Sequence, residues 1–85
     1  MTEPEIQRWL VMRFAEELGV PESAIDLKAH VSRLALDSVR LLSIAGELED
    51  ALGAVLPTEA LWDCASLEAL ASVAHRQQRG GPGTA

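Results

Sequence analysis

The sequence predicts an all-α domain, a small helical bundle of three main helices plus one short helix. Three observations lead there. Apolar residues recur at helical spacing in three separate stretches. Those stretches are bracketed by capping residues and by Gly or Pro. No run alternates apolar and polar residues as a half-buried strand would. The 85 residues allow one domain, near the small end for an independent core, with a net stability of roughly 4–12 kcal/mol. Hydrophobic residues make up 48% of the chain, enough to drive folding rather than disorder. Tyr is absent and other aromatics are few, so Leu, Val, Ile and Ala must fill the interior.

The first helix is expected over Glu3–Leu18. Thr2 and Glu5 fit a capping box, and Pro4 falls near the first helical position, where its missing N–H costs nothing. Ile6, Leu10, Phe14 and Leu18 recur every four residues, with Trp9 and Val11 beside them, as one apolar stripe. Gly19 supplies a left-handed cap and Pro21 blocks continuation. A long connection runs from Val20 to Leu36. Pro21-Glu22-Ser23 suits a brief turn, and the irregularly spaced Ile25, Leu27, Val31 and Leu34 read as plugs that tack the loop to the core. A connection of this length is uncommon in a small domain and is often functional.

The second helix is expected over Ser38–Leu52, with Asp37 as its N-cap and Gly53 as its stop. Leu41, Ile44, Ala45, Leu48 and Leu52 cluster on one side. Val39, Ser43, Gly46 and Asp50 fall on the other, flanked by Arg40 and Glu47. Leu56-Pro57-Thr58 opens a short helical turn through Leu61. Ser66 caps the last helix, where Leu67, Leu70, Ala71 and Ala74 face inward. His75, Arg76 and Arg79 place positive charge near its C-terminal end, complementing the dipole. Trp9 and Trp62 read as core or half-exposed packing. Gly80-Gly81-Pro82-Gly83 reads as a tail, so the expected organisation is a folded domain over 1–78 and a flexible C-terminal tail over 79–85.

Charge and composition exclude several functions. Thirteen acids against seven bases give a net charge of −6, the opposite of the basic face that nucleic-acid binding needs. It suits a protein that docks on basic partners. Cys64 is alone, so no internal disulfide can form, which fits a reducing compartment. The N-terminus lacks a basic region followed by an apolar run and a cleavage site, and the apolar runs are too short to span a bilayer. A monomeric, cytoplasmic protein without membrane contact is expected. His30, His75 and Cys64 have no metal-ligand spacing, so no metal is expected. Ser38 lacks the Gly-x-Ser-x-Gly elbow of a hydrolase nucleophile. Its immediate neighbour Asp37 cannot act as the remote orienter of a histidine. No catalytic residue is expected.

The stretch Leu36-Asp37-Ser38-Val39 opens the second helix and sets a serine on its first turn, over the positive end of the helix dipole. It resembles the attachment site of the acyl carrier protein family, whose usual form is Gly-Leu-Asp-Ser followed by an aliphatic residue. The resemblance extends from about Ile6 to Ala74. Glu17-Leu18-Gly19-Val20 is similar to the end of the family's first helix, and Ile25-Asp26 to its buried loop anchor. Ser32 to Val39 is similar to the attachment loop. Gly46 to Gly53 resembles the end of the second helix in polyketide-synthase carriers. Leu61-Trp62-Asp63 and Ser66 to Ala71 resemble the third helix and the start of the fourth. Two residues depart from the pattern: Ala35 stands where glycine is usual, and Cys64-Ala65 replaces an aromatic or histidine followed by proline.

The resemblance implies a carrier rather than an enzyme. A Mg²⁺-dependent phosphopantetheinyl transferase would place a 4'-phosphopantetheine arm from coenzyme A on Ser38, with Asp37 positioning that serine. Acyl groups would ride as thioesters on the arm's sulfur. Val39, Arg40, Ser43, Gly46, Glu47 and Asp50 would form the docking face for the transferase, acyl-activating enzymes or acyltransferases, and ketosynthase-type enzymes. The expected setting is polyketide or related secondary metabolism. An Asp-Ser-Val-Arg run also occurs in aryl carriers of nonribosomal peptide systems, so an aryl or peptidyl carrier is the alternative. A helical interaction module without a covalent cofactor is the alternative from a different class.

Overall fold

The computed structural model describes residues 1–29, 38–56 and 66–79, apart from the side chains of Ser38 and Arg79. The first helix, α1 (Glu3–Leu18), begins at the capping box that the sequence encodes. The Glu5 N–H donates to the Thr2 hydroxyl at 3.2 Å, and the Thr2 N–H donates to Glu5 Oε1 at 2.7 Å. The Thr2 backbone N–H, more than its hydroxyl, holds the Glu5 carboxyl below its ordinary pKa. Two donors that a helix start leaves without intrahelical partners are thereby satisfied. At the other end Gly19 adopts φ 69° and ψ 34°, and its N–H reaches the carbonyls of Ala15 and Glu16. An L side chain would be strained in that left-handed conformation.

The chain then makes the expected brief turn, a 3₁₀ helix over Glu22–Ala24. Asp26 organises the next residues: its Oδ1 accepts the Lys28 N–H at 2.9 Å and its carbonyl accepts the Ala29 N–H at 3.1 Å. Ile25 is buried and Leu27 packs against the core, as plugs should.

The second helix, α2 (Ser38–Leu52), stops at Gly53, whose φ is 66°. The Gly53 N–H donates to the Glu49 carbonyl at 2.8 Å, and the Glu49 carboxylate accepts the Leu56 N–H at 2.7 Å. Glu49 thus fastens the exit from α2 and helps to seat Leu56 in the core. The last helix, α3 (Leu67–Arg79), is capped as expected, with the Ala69 N–H donating to the Ser66 hydroxyl at 3.1 Å. A second donor of its first turn, the Glu68 N–H, reaches the Leu27 carbonyl at 3.0 Å. That bond ties the early loop to the start of α3.

The three helices share one apolar interior. Ile6, Leu10 and Phe14 of α1 meet Leu41, Ile44 and Leu48 of α2, and Leu67, Leu70, Ala71 and Ala74 of α3. Each large side chain buried there contributes about 1.5–3 kcal/mol. The small Ala71 and Ala74 suit the close approach of α1, which packs along α3 and against the 3₁₀ turn. Among the described residues no charged or polar side chain is buried. The fold is all-α. Expectations that concern His30, Asp37, the short turn after Leu56, Trp62, Cys64 and the Gly-rich tail lie outside the described residues.

Candidate functional site

Ser38 is the first residue of α2. Its place in the fold follows from the stripe behind it. Leu41, Ile44, Ala45 and Leu48 are buried, so the opposite side of the helix must face outward. Val39 is 75% exposed and Leu42 is 46% exposed. Ser43 and Asp50 are exposed and Gly46 is partly exposed. Five residues at spacings of three, four and seven therefore form one outward ridge that starts one residue beyond Ser38. Four of the five were legible in the sequence. Leu42 was not singled out, although it stands one helical turn beyond Ser38, a spacing that could have revealed it. A Cβ built on Gly46 would meet nothing within 4 Å, so its lack of a side chain is not demanded by packing.

The flank of α2 toward α1 is charged and internally paired. Arg13 of α1 donates from Nε to Glu47 Oε1 at 2.8 Å and from Nη2 to Glu47 Oε2 at 3.0 Å. Its remaining terminal nitrogen, Nη1, lies 3.0 Å from Glu17 and 3.6 Å from Glu16. Glu17 in turn lies 3.4 Å from Arg40 Nε. The chain of charges runs Arg40, Glu17, Arg13, Glu47, alternating in sign and crossing twice between the two helices. The Arg13 hydrogen bonds hold the Glu47 carboxyl below its ordinary pKa, against a smaller opposing effect of desolvation. The same bonds raise the Arg13 guanidinium further above its already high range. Glu47 and Arg40, both expected on a docking face, are exposed beside the ridge and paired with residues of α1. Asp37 and the Ser38 hydroxyl lie outside the described residues.

The first turn of α2 carries no acidic residue, and Arg40 is the cation next to Ser38 on that turn. Among the described residues no cluster of His, Cys, Asp or Glu could hold a metal ion. No described helix is long and apolar enough to cross a membrane.

Comparisons with known proteins bear on the family and the fold. The family model described as the phosphopantetheine attachment site matches residues 8–74. Among solved structures, the chain is similar to the solution structure of the acyl carrier protein LipD from Actinoplanes friuliensis. The two are 34% identical and superpose with a TM-score of 0.74, over 94% of this chain and 89% of that one. No curated protein matches the sequence.

Proposed function

The chain belongs to the phosphopantetheine-attachment family of acyl carrier proteins, and on that premise we propose that Ser38 is the residue to which the arm is joined. Proteins of this family are carriers and not catalysts, and 4'-phosphopantetheine is their covalent cofactor. When bound, the arm supplies a terminal thiol that holds an acyl group as a thioester. The observation that carries the assignment is the coincidence of Ser38 with the first residue of α2 inside the matched span. The N–H groups of the first turn would face the phosphodiester charge. Asp37 would orient Ser38 for the visiting transferase.

The exposed ridge of Val39, Leu42, Ser43, Gly46 and Asp50 is the surface on which that transferase and the enzymes that load and unload the arm would dock. The carrier unit spans 1–78, with 79–85 as a tail that begins at the last residue of α3. The cargo is an acyl group of a polyketide or related secondary-metabolite pathway. Similarity to an acyl carrier protein supports the acyl reading over the aryl or peptidyl one. The partners are a phosphopantetheinyl transferase, acyl-activating or acyltransferase enzymes and ketosynthase-type enzymes.

Incubation with coenzyme A and a promiscuous phosphopantetheinyl transferase should add the mass of one phosphopantetheine. The Ser38→Ala variant should gain none. Labelling of that variant, or no labelling of the wild type, would overturn the assignment. Offering the modified protein to competing acyl-, aryl- and aminoacyl-activating enzymes then distinguishes the cargo classes, and acyl loading is the expected result.

A further inference from the structure

The net charge of −6 suggests that an acidic carrier recruits basic partners, yet the acids of α2 are not simply presented to solvent. The helix carries three: Glu47, Glu49 and Asp50. Both oxygens of Glu47 accept hydrogen bonds from Arg13, a bidentate geometry that fixes the carboxylate in place. Glu49 accepts the Leu56 N–H. Asp50 is exposed three turns along the helix from Ser38. Beside Ser38 itself the exposed groups are the apolar Val39 and Leu42 and the cation Arg40, whose Nε lies 3.4 Å from Glu17 of α1. Arg13 is only 19% exposed and sits between two carboxylates of different helices, Glu17 and Glu47, so its fork is already oriented.

We propose that Arg13 is a specificity-determining residue. By pairing with Glu47, which stays partly exposed, it offsets that carboxylate's charge toward visiting enzymes and leaves Val39 and Leu42 as the main docking contacts. The enzymes selected are those that offer an apolar depression next to the arm; those that rely on a basic patch are disfavoured. A partner cation would share Glu47, whose side chain is 46% exposed, with a bidentate guanidinium that is tethered to the same molecule. Such an intramolecular competitor acts at a high effective concentration. Apolar contact next to a charge-balanced rim gives recognition that depends weakly on salt, whereas an exposed acid gives recognition that salt weakens.

The inference rests on the carrier reading, and one set of transferase kinetics separates the two. With coenzyme A and the same transferase, Val39→Ser and Leu42→Ser should each raise KM about 5-fold with kcat little changed, as lost apolar burial requires. Glu47→Gln should change KM by less than about 2-fold at any salt up to about 0.3 M, since the carboxylate is already engaged. An oligolysine peptide serves as the basic probe. It should inhibit transfer to Arg13→Gln at a concentration several-fold lower than for the wild type, and the Arg13→Gln, Glu47→Gln double variant should return to the wild-type value. Circular dichroism checks that each variant is folded. The proposal is overturned if Glu47→Gln raises KM as much as Val39→Ser does. It also fails if folded Arg13→Gln responds to oligolysine as the wild type does. Absence of transfer to the wild type would instead defeat the Ser38 assignment.

Discussion

Two glycines of α2 and its exit make opposite demands. Gly53 has φ 66°, so Gly53→Ala should destabilise by about 1 kcal/mol, because Cβ is strained in that conformation. Gly46 lies inside the helix, and a Cβ there would meet open space. Gly46→Ala should therefore stabilise by about 0.5–1 kcal/mol, the usual gain when alanine replaces an interior helical glycine. Urea unfolding of the two variants should shift the midpoint in opposite directions. A glycine that weakens its own helix without a packing reason, on the ridge that follows Ser38, fits a surface that another backbone approaches closely. Residue identity alone named Gly46 as small; the open space around it needed the fold.

Helix ends were legible from the sequence because their chemistry is local. Thr2 with Glu5, and Ser66 with Ala69, are separated by only three residues, so the bonds that start α1 and α3 follow from short patterns. The link from Arg13 to Glu47 crosses 34 residues, and the one from Glu68 to Leu27 joins two distant segments. Neither has a signature in spacing, because each exists only once the helices have packed. The Glu47 bond has a measurable consequence at the level of paired helices. Its folded pKa lies below the ordinary value of 4.5, so the unfolded chain binds the proton more readily. Its contribution is fully present above pH 4.5 and is lost as pH falls through the lower folded value. The stability difference between wild type and Glu47→Gln should accordingly be constant near neutrality and shrink in acid below 4.5. Urea titrations across pH would read this directly, and high salt should reduce the difference because the pair is partly exposed.

For the molecule as a whole, the stripes read from the sequence became the interior: Ile6, Leu10, Phe14, Ile44, Leu48 and Leu67 are the largest fully buried side chains among the described residues. A core this small leaves little reserve. Leu48→Ala should cost about 2–5 kcal/mol, a large share of the roughly 4–12 kcal/mol available, and should lower the melting temperature by more than any surface change described above. The overall architecture was legible because three amphipathic periods leave few ways to bury three stripes together. What was not legible was how the chain's first and late residues meet. The Met1 ammonium donates to Gln78 Oε1 at 2.6 Å, and the Gln78 amide donates back to the Met1 carbonyl. A polypeptide joined ahead of residue 1 and another joined behind residue 79 would therefore leave from the same pole. Grafting this unit into a surface loop of a host protein should need only a short spacer on either side, since the host's two attachment points could stay close together.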